Sequence, residues 1–174
     1  QSQTVTITAN DGNGHIVTTT FSLTVANVAP TATFNAPASV NEGSNISLSL
    51  TSPNDPSTVD AGSLTYAFDC GTGSGYGAFS ATSTASCPTT DNGSRTVKGE
   101  IKDKDGGLTE YTQAVTINNV APTATLSNNG PIVEGGSATI SFSSPSDPSS
   151  ADTAAGFHYS FACNGNAASL ATTY

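Results

Sequence analysis

The segment Asn27-Val28-Ala29-Pro30-Thr31-Ala32-Thr33 returns intact as Asn119-Val120-Ala121-Pro122-Thr123-Ala124-Thr125, an offset of 119 minus 27, or 92. The same offset carries Glu42-Gly43 onto Glu134-Gly135, Pro53 onto Pro145 and Asp55-Pro56-Ser57 onto Asp147-Pro148-Ser149. Backwards, it carries Asp103-Lys104-Asp105-Gly106 onto Asp11-Gly12-Asn13-Gly14. After one inserted residue, Tyr66-Ala67-Phe68-Asp69-Cys70 matches Tyr159-Ser160-Phe161-Ala162-Cys163. A register held over this span makes each copy one structural unit, and a period near 92 residues is the size of one small β-sandwich.

The 174 residues are therefore expected to divide into three parts. Residues 1–27 read as the C-terminal strands of a partial repeat, 28–119 as a complete sandwich, and 120–174 as the N-terminal half of a further repeat. A half-sandwich can neither bury its apolar face nor satisfy its edges. The partial copies are expected to continue in a longer chain; the other reading is completion by strands of neighbouring copies in a fibre.

Apolar residues alternate with polar ones at period two: Val5, Ile7 and Ala9; Phe21, Leu23 and Val25; Ile46, Leu48 and Leu50; Leu64, Tyr66 and Phe68. Val97 and Ile101 open a strand that Val115 and Ile117 answer. No stretch has helical periodicity, so the fold class is all-β. Asp11-Gly12, Asn41-Glu42-Gly43, Asp91-Asn92-Gly93 and Asp105-Gly106-Gly107 punctuate the runs as turns. Asn-Val-Ala-Pro reads as a short linker whose proline stops ladder pairing. With no Trp, no Met and 7% aromatic residues, each core has to be thin, which suits small sandwiches rather than one large globule.

In order, Glu42-Gly43, Asp55-Pro56, Tyr66-Ala67-Phe68-Asp69-Cys70-Gly71-Thr72-Gly73, Asp103-Lys104-Asp105-Gly106-Gly107 and Asn119-Val120-Ala121-Pro122 resemble a PKD-type repeat. The resemblance covers essentially the whole chain. It implies an immunoglobulin-like sandwich, repeated in tandem on surface proteins and secreted hydrolases. Three positions depart from the family's Trp-Asp-Phe-Gly-Asp-Gly: Phe68 stands for the Trp, Cys70 for the Phe and Thr72 for the second Asp. Arg95 also replaces the usual Tyr of the late strand, so this is a divergent, cysteine-containing variant.

The net charge is −9, and the four basic residues Arg95, Lys98, Lys102 and Lys104 fall within one ten-residue stretch. That balance argues against nucleic acid and for divalent cations. In an immunoglobulin-like topology, the loop with Asp55 and Asp60, the hairpin with Asp103 and Asp105, and the linker Asn27 meet at one end. The next repeat supplies Asn119, Asp147 and Asp152. Calcium takes six to eight hard oxygens in irregular geometry, which Asp, Asn and loop carbonyls provide. The resemblance implies a calcium site from Asn27, Asp55, Asp60 and Asp103. The plain alternative is that these are turn residues bonding their own backbone. An EF-hand is excluded, since the residue eleven after Asp103 is Ala114. A calcium at each linker is expected to stiffen the joint.

Cys163 is the repeat equivalent of Cys70, so its partner is expected beyond Tyr174. Cys70 and Cys87 then form a disulfide within one unit, in an oxidising compartment. Two reduced, buried thiols are the other reading. His15 and His158 sit near no Ser or Cys nucleophile and have no metal spacing, and the acid pairs lie on turn signals rather than in a cleft. No catalytic residue is expected. Asn45-Ile46-Ser47 and Asn92-Gly93-Ser94 match a glycosylation sequon, and the run from Ala81 to Ser86 reads as sugar acceptors or as polar strand faces.

The function expected is that of a spacer, stalk or fibre module of an extracellular surface protein, partnered by neighbouring repeats or copies of the same chain. One alternative is an adhesin module binding polysaccharide or protein through an aromatic platform of Tyr66, Tyr76 and Phe79. The third copy argues mildly against that, because Asn164-Gly165-Asn166 lacks aromatics until Tyr174. The other alternative is an accessory segment of a secreted hydrolase. No apolar run is long enough to span a membrane.

Overall fold

The computed structural model describes residues 2–163, 165, 166 and 170. Asn164 and Tyr174, two ends of the aromatic-poor stretch expected in the third copy, lie outside the described residues. Residues 31–118 form an all-β, immunoglobulin-like sandwich. The strands are β3 (Thr31–Asn35), β4 (Ser39–Asn41), β5 (Asn45–Asn54), β6 (Thr65–Asp69), β7 (Thr84–Pro88), β8 (Gly93–Lys102) and β9 (Leu108–Asn118). One sheet has the order β3-β5-β7 and the other β4-β9-β8-β6. The first edge is shared between the sheets. β3 pairs antiparallel with β5, residues 36–38 cross over at Pro37, and β4 pairs parallel with β9.

The alternation read from the sequence is what fills the space between the sheets. Ile46, Leu48 and Leu50 of β5 point inward, against Val97 and Ile101 of β8 and Val115 and Ile117 of β9. Phe34, from β3, packs over both parts of this core. Gly99 lies beneath it, and a Cβ on Gly99 would come within 2.8 Å of the Phe34 ring. The missing side chain is therefore a packing requirement: the ring occupies the space that a residue on β8 would otherwise fill.

Cys70, just past β6, is bonded to Cys87 of β7, with Cα atoms 5.5 Å apart. The bond ties one sheet to the other, and the reduced-thiol reading is set aside. Thr84–Pro88 is an edge strand, on which Thr84 and Ser86 are exposed.

Two hairpins flank the sandwich. β1 (Ser2–Asn10) pairs with β2 (Ile16–Thr24), and β10 (Thr123–Asn128) pairs with β11 (Ile140–Ser146). Their geometry repeats that of the sandwich at the offset of 92. Val5 faces Phe21 as Val97 faces Gln113. Leu126 faces Phe142 as Phe34 faces Leu50. The β-bulge between Thr31 and Thr33 recurs between Thr123 and Thr125. Ser52 and Ser144, each just before a proline, share a positive φ of 50° and 52°. A non-glycine residue in that region is uncommon, so its recurrence marks the same bulged strand in both copies.

The expectation of no helix needs one correction. Thr58–Ala61 forms α1 and Ser150–Ala155 forms α2, of four and six residues. Helices this short contain too little of a 3.6-residue period to register as a pattern. They were detectable through their caps instead: Ser57 accepts from Asp60 N and Ser149 from Asp152 N, each with an acidic residue in the first turn.

Candidate functional site

The acidic residues singled out in the sequence gather at two joints. At the first, residues 25–30 lead from β2 into the sandwich. Asp103, buried in the turn after β8, accepts hydrogen bonds through Oδ1 from the backbone of Asp105 (2.9 Å) and Gly107 (2.7 Å). Its Oδ2 accepts from the Asn27 amide at 2.8 Å. Burial acts to raise this carboxyl, but the bonds from Asn27 and the turn amides outweigh it and hold the group below its ordinary value. Thr109 Oγ1 donates to the Pro30 carbonyl at 2.6 Å and Ala32 N donates to the Tyr111 hydroxyl at 2.8 Å. The incoming chain is thus bonded along the β8–β9 hairpin.

Asp55 and Asp60 border the same cleft, of about 700 Å³, with Asp105 at its edge. Asp55 Oδ1 accepts from Ser57 N at 2.8 Å, while its Oδ2 is buried without a hydrogen-bond partner. Asp60 Oδ1 lacks a well-formed hydrogen bond yet lies 2.8 Å from Lys104 Nζ, and at that distance the two form an ion pair. Lys104 also meets Asp105 Oδ2 at 2.6 Å, and the bonds to Asp105 and Asp60 raise its pKa. So Asn27 and Asp103 are bonded to each other, and Lys104 is the cation among Asp60 and Asp105.

At the second joint the chain leaves β9 through Asn119 and Val120. Asn119 is exposed, and Asp147 and Asp152 are partly buried at α2. A residue read as part of a turn and of the repeated motif, but not as a site residue, joins them. Glu42, in the turn after β4, is 1% exposed. Its Oε1 accepts from Val120 N at 2.6 Å, and its backbone N–H donates to the Asn118 carbonyl at 3.0 Å. One carboxylate oxygen from each of Glu42, Asp147 and Asp152 lies within 4.8 Å of the others. Next to them, Ser149 Oγ donates to the Thr90 carbonyl at 2.9 Å, and Ala151 N reaches the same oxygen at 3.3 Å. Pro148 packs so closely on Gly43 that a Cβ there would fall 2.7 Å from the Pro148 carbonyl. The available signal for Glu42 was its recurrence as Glu134 at the repeat offset; its burial runs against the habit of the residue type.

The aromatic candidates separate. Tyr66 is a core residue, 8% exposed, and so leaves the expected platform. The Tyr76 hydroxyl donates to Glu110 Oε2 at 2.8 Å, and Phe79 lies at the surface beneath Lys102 Nζ, 5.2 Å from its ring centre. His15 pairs with Asp11 at 2.9 Å across an exposed turn. Cys163 is exposed and unbonded to another cysteine among the described residues.

No family model matches the chain, and no curated protein matches it. Among solved structures, the PKD domain of an M14-like peptidase from Thermoplasmatales archaeon SCGC AB-540-F20 is similar to it at 22% identity. That match covers 53% of this chain and 98% of that one, with a TM-score of 0.42.

Proposed function

We propose that this chain is a non-catalytic, rod-forming module of tandem PKD-like repeats on an extracellular surface protein, holding whatever it carries at a distance. The observation that supports this best is the second joint. Four residues, Asn119 to Pro122, separate β9 from β10; Glu42 bonds that linker at Val120, Thr90 accepts from Ser149 beyond it, and Gly43 packs against Pro148. A linker this short, with its backbone bonded, leaves little freedom between units. The recurrence of register, bulge and cap at 92 residues supports the tandem reading. The Cys70–Cys87 bond supports an oxidising location, and no helix among the described residues is long and apolar enough to cross a membrane. The adhesin reading has less support, with Tyr66 buried and Tyr76 engaged by Glu110.

Small-angle scattering from the whole chain tests the proposal. Nine-residue β1, eleven-residue β9 and the six residues of β10, laid end to end, give a maximum dimension of roughly 90 Å. A rod profile of about that length is expected. A compact profile, or one needing a wide spread of joint angles, refutes it.

A further inference from the structure

The second joint holds more acidic charge than its own hydrogen bonds account for. Glu42 is almost wholly buried, and only Oε1 is used, by Val120 N. The other oxygen, Oε2, is buried with no hydrogen-bond partner. Leaving a carboxylate oxygen out of water and unpaired is costly unless a positive charge stands by. Among the described residues, no lysine or arginine does. Arg95 donates to the Pro88 carbonyl, Lys98 pairs with Glu110, Lys102 lies over Phe79, and Lys104 serves Asp60 and Asp105 at the other joint. Among the described residues, none forms an ion pair with Glu42, Asp147 or Asp152. Yet these three carboxylates come within 4.8 Å of one another, and close like charges repel strongly away from bulk water.

We infer that Glu42, Asp147 and Asp152 bind one divalent cation that bridges the sandwich and the unit after it. All three donors are hard carboxylate oxygens, a set that favours calcium or magnesium over zinc or copper. Calcium fits better, because it accepts irregular oxygen cages where magnesium demands a near-ideal octahedron. The ligand set differs from that expected at the sequence level. Glu42 comes from the opposite side of the joint, so the ion links two units instead of decorating one. This deepens the rod reading and rests on it: the joint bonds set the angle, and the ion would hold it.

The test is calorimetric titration of the chelator-treated 174-residue chain with calcium chloride. One site is expected, with a dissociation constant of about 10⁻⁴ to 10⁻³ M. Glu42→Gln keeps a carbonyl acceptor for Val120 N but removes the charge, and should weaken binding about tenfold or more. Should that variant misfold, Asp152→Asn, at a partly exposed position, carries the same expectation. A wild-type chain silent up to about 10 mM calcium overturns the proposal, as does a folded variant that binds equally well. Magnesium binding more tightly than calcium overturns the choice of ion. Scattering in chelator, measured separately, tells the two readings apart: a rod without calcium binding leaves the spacer reading standing and removes the ion.

Discussion

Opening the Cys70–Cys87 bond is expected to remove a large share of the sandwich's stability. The two cysteines are 17 residues apart, and the residues between them are a glycine-rich loop and an edge strand. By loop-closure entropy, releasing that constraint in the unfolded chain costs about 3 kcal/mol. The double variant Cys70→Ala/Cys87→Ala loses somewhat more. Cys87 is fully buried among Ile46, Leu48, Val97, Val115 and Ile117, and the missing sulfur leaves a small void worth about 1 kcal/mol. For a unit of this size each kcal/mol moves the midpoint by about 4–8 °C, so a drop of about 20 °C is expected. The assay is calorimetric melting in a Cys163→Ser background, so that the exposed third thiol cannot exchange. Reduced wild type isolates the entropic part and should show most of the loss. A change below about 1 kcal/mol in the reduced protein would sink the reasoning, since it would mean the loop gains no freedom when released.

Gly99→Ala should destabilise the sandwich by about 1–3 kcal/mol, because its Cβ collides with Phe34; an unchanged denaturation midpoint would count against that packing. Gly43→Ala and Gly12→Ala both place a side chain at positive φ (+74° and +79°), but only Gly43 faces Pro148. Both should lose about 1 kcal/mol locally, while only Gly43→Ala should alter the scattering profile of the joint. Ser149→Ala removes both the α2 cap and the bond to Thr90, and should cost about 1 kcal/mol in the transition of the C-terminal unit. Asp103 titrates below its ordinary 3.8, so its contribution is complete above that value and is lost as the pH falls through the lower folded value. Asp103→Asn should therefore melt earlier than wild type at neutral pH, with the gap closing as the pH falls below 3.8.

The period and the alternation were readable because both are properties of the chain itself. Ile46, Leu48 and Leu50 announce an inward face whatever lies opposite, and the 92-residue offset is visible from the residues alone. β3, β10 and β11 lay outside that alternation, as did β4 and β7, the last two for different reasons. β4 is three residues long, and β7 is an edge strand of mostly small residues with Cys87 as its one buried member. The joints were half legible. The clustering of Asp55, Asp60, Asp103 and Asp105 about the linker follows from topology. The partner of each does not: Lys104 shares a hairpin with Asp103 and Asp105, but its ion pair with Asp60 on α1 exists only through the fold. Glu42 was hidden by its residue type. Nothing local distinguishes a glutamate in an exposed turn from one covered by the next unit. Only contact across the joint does.

The parallel pairing of β4 with β9 has a consequence for the chain under tension. The chain enters the sandwich beside the β8–β9 hairpin and leaves beside Glu42, at the far end of β9. A force applied through neighbouring units therefore runs along β9, and it loads the Ser39–Asn41 to Thr116–Asn118 patch in shear. Bonds loaded this way yield together, whereas a hairpin pulled from one end opens one bond at a time. Once the patch fails, the disulfide withholds the 17-residue segment it closes, shortening the length each unit releases by roughly 60 Å. Pulling a single chain before and after reduction should show that difference as a longer step in the reduced protein.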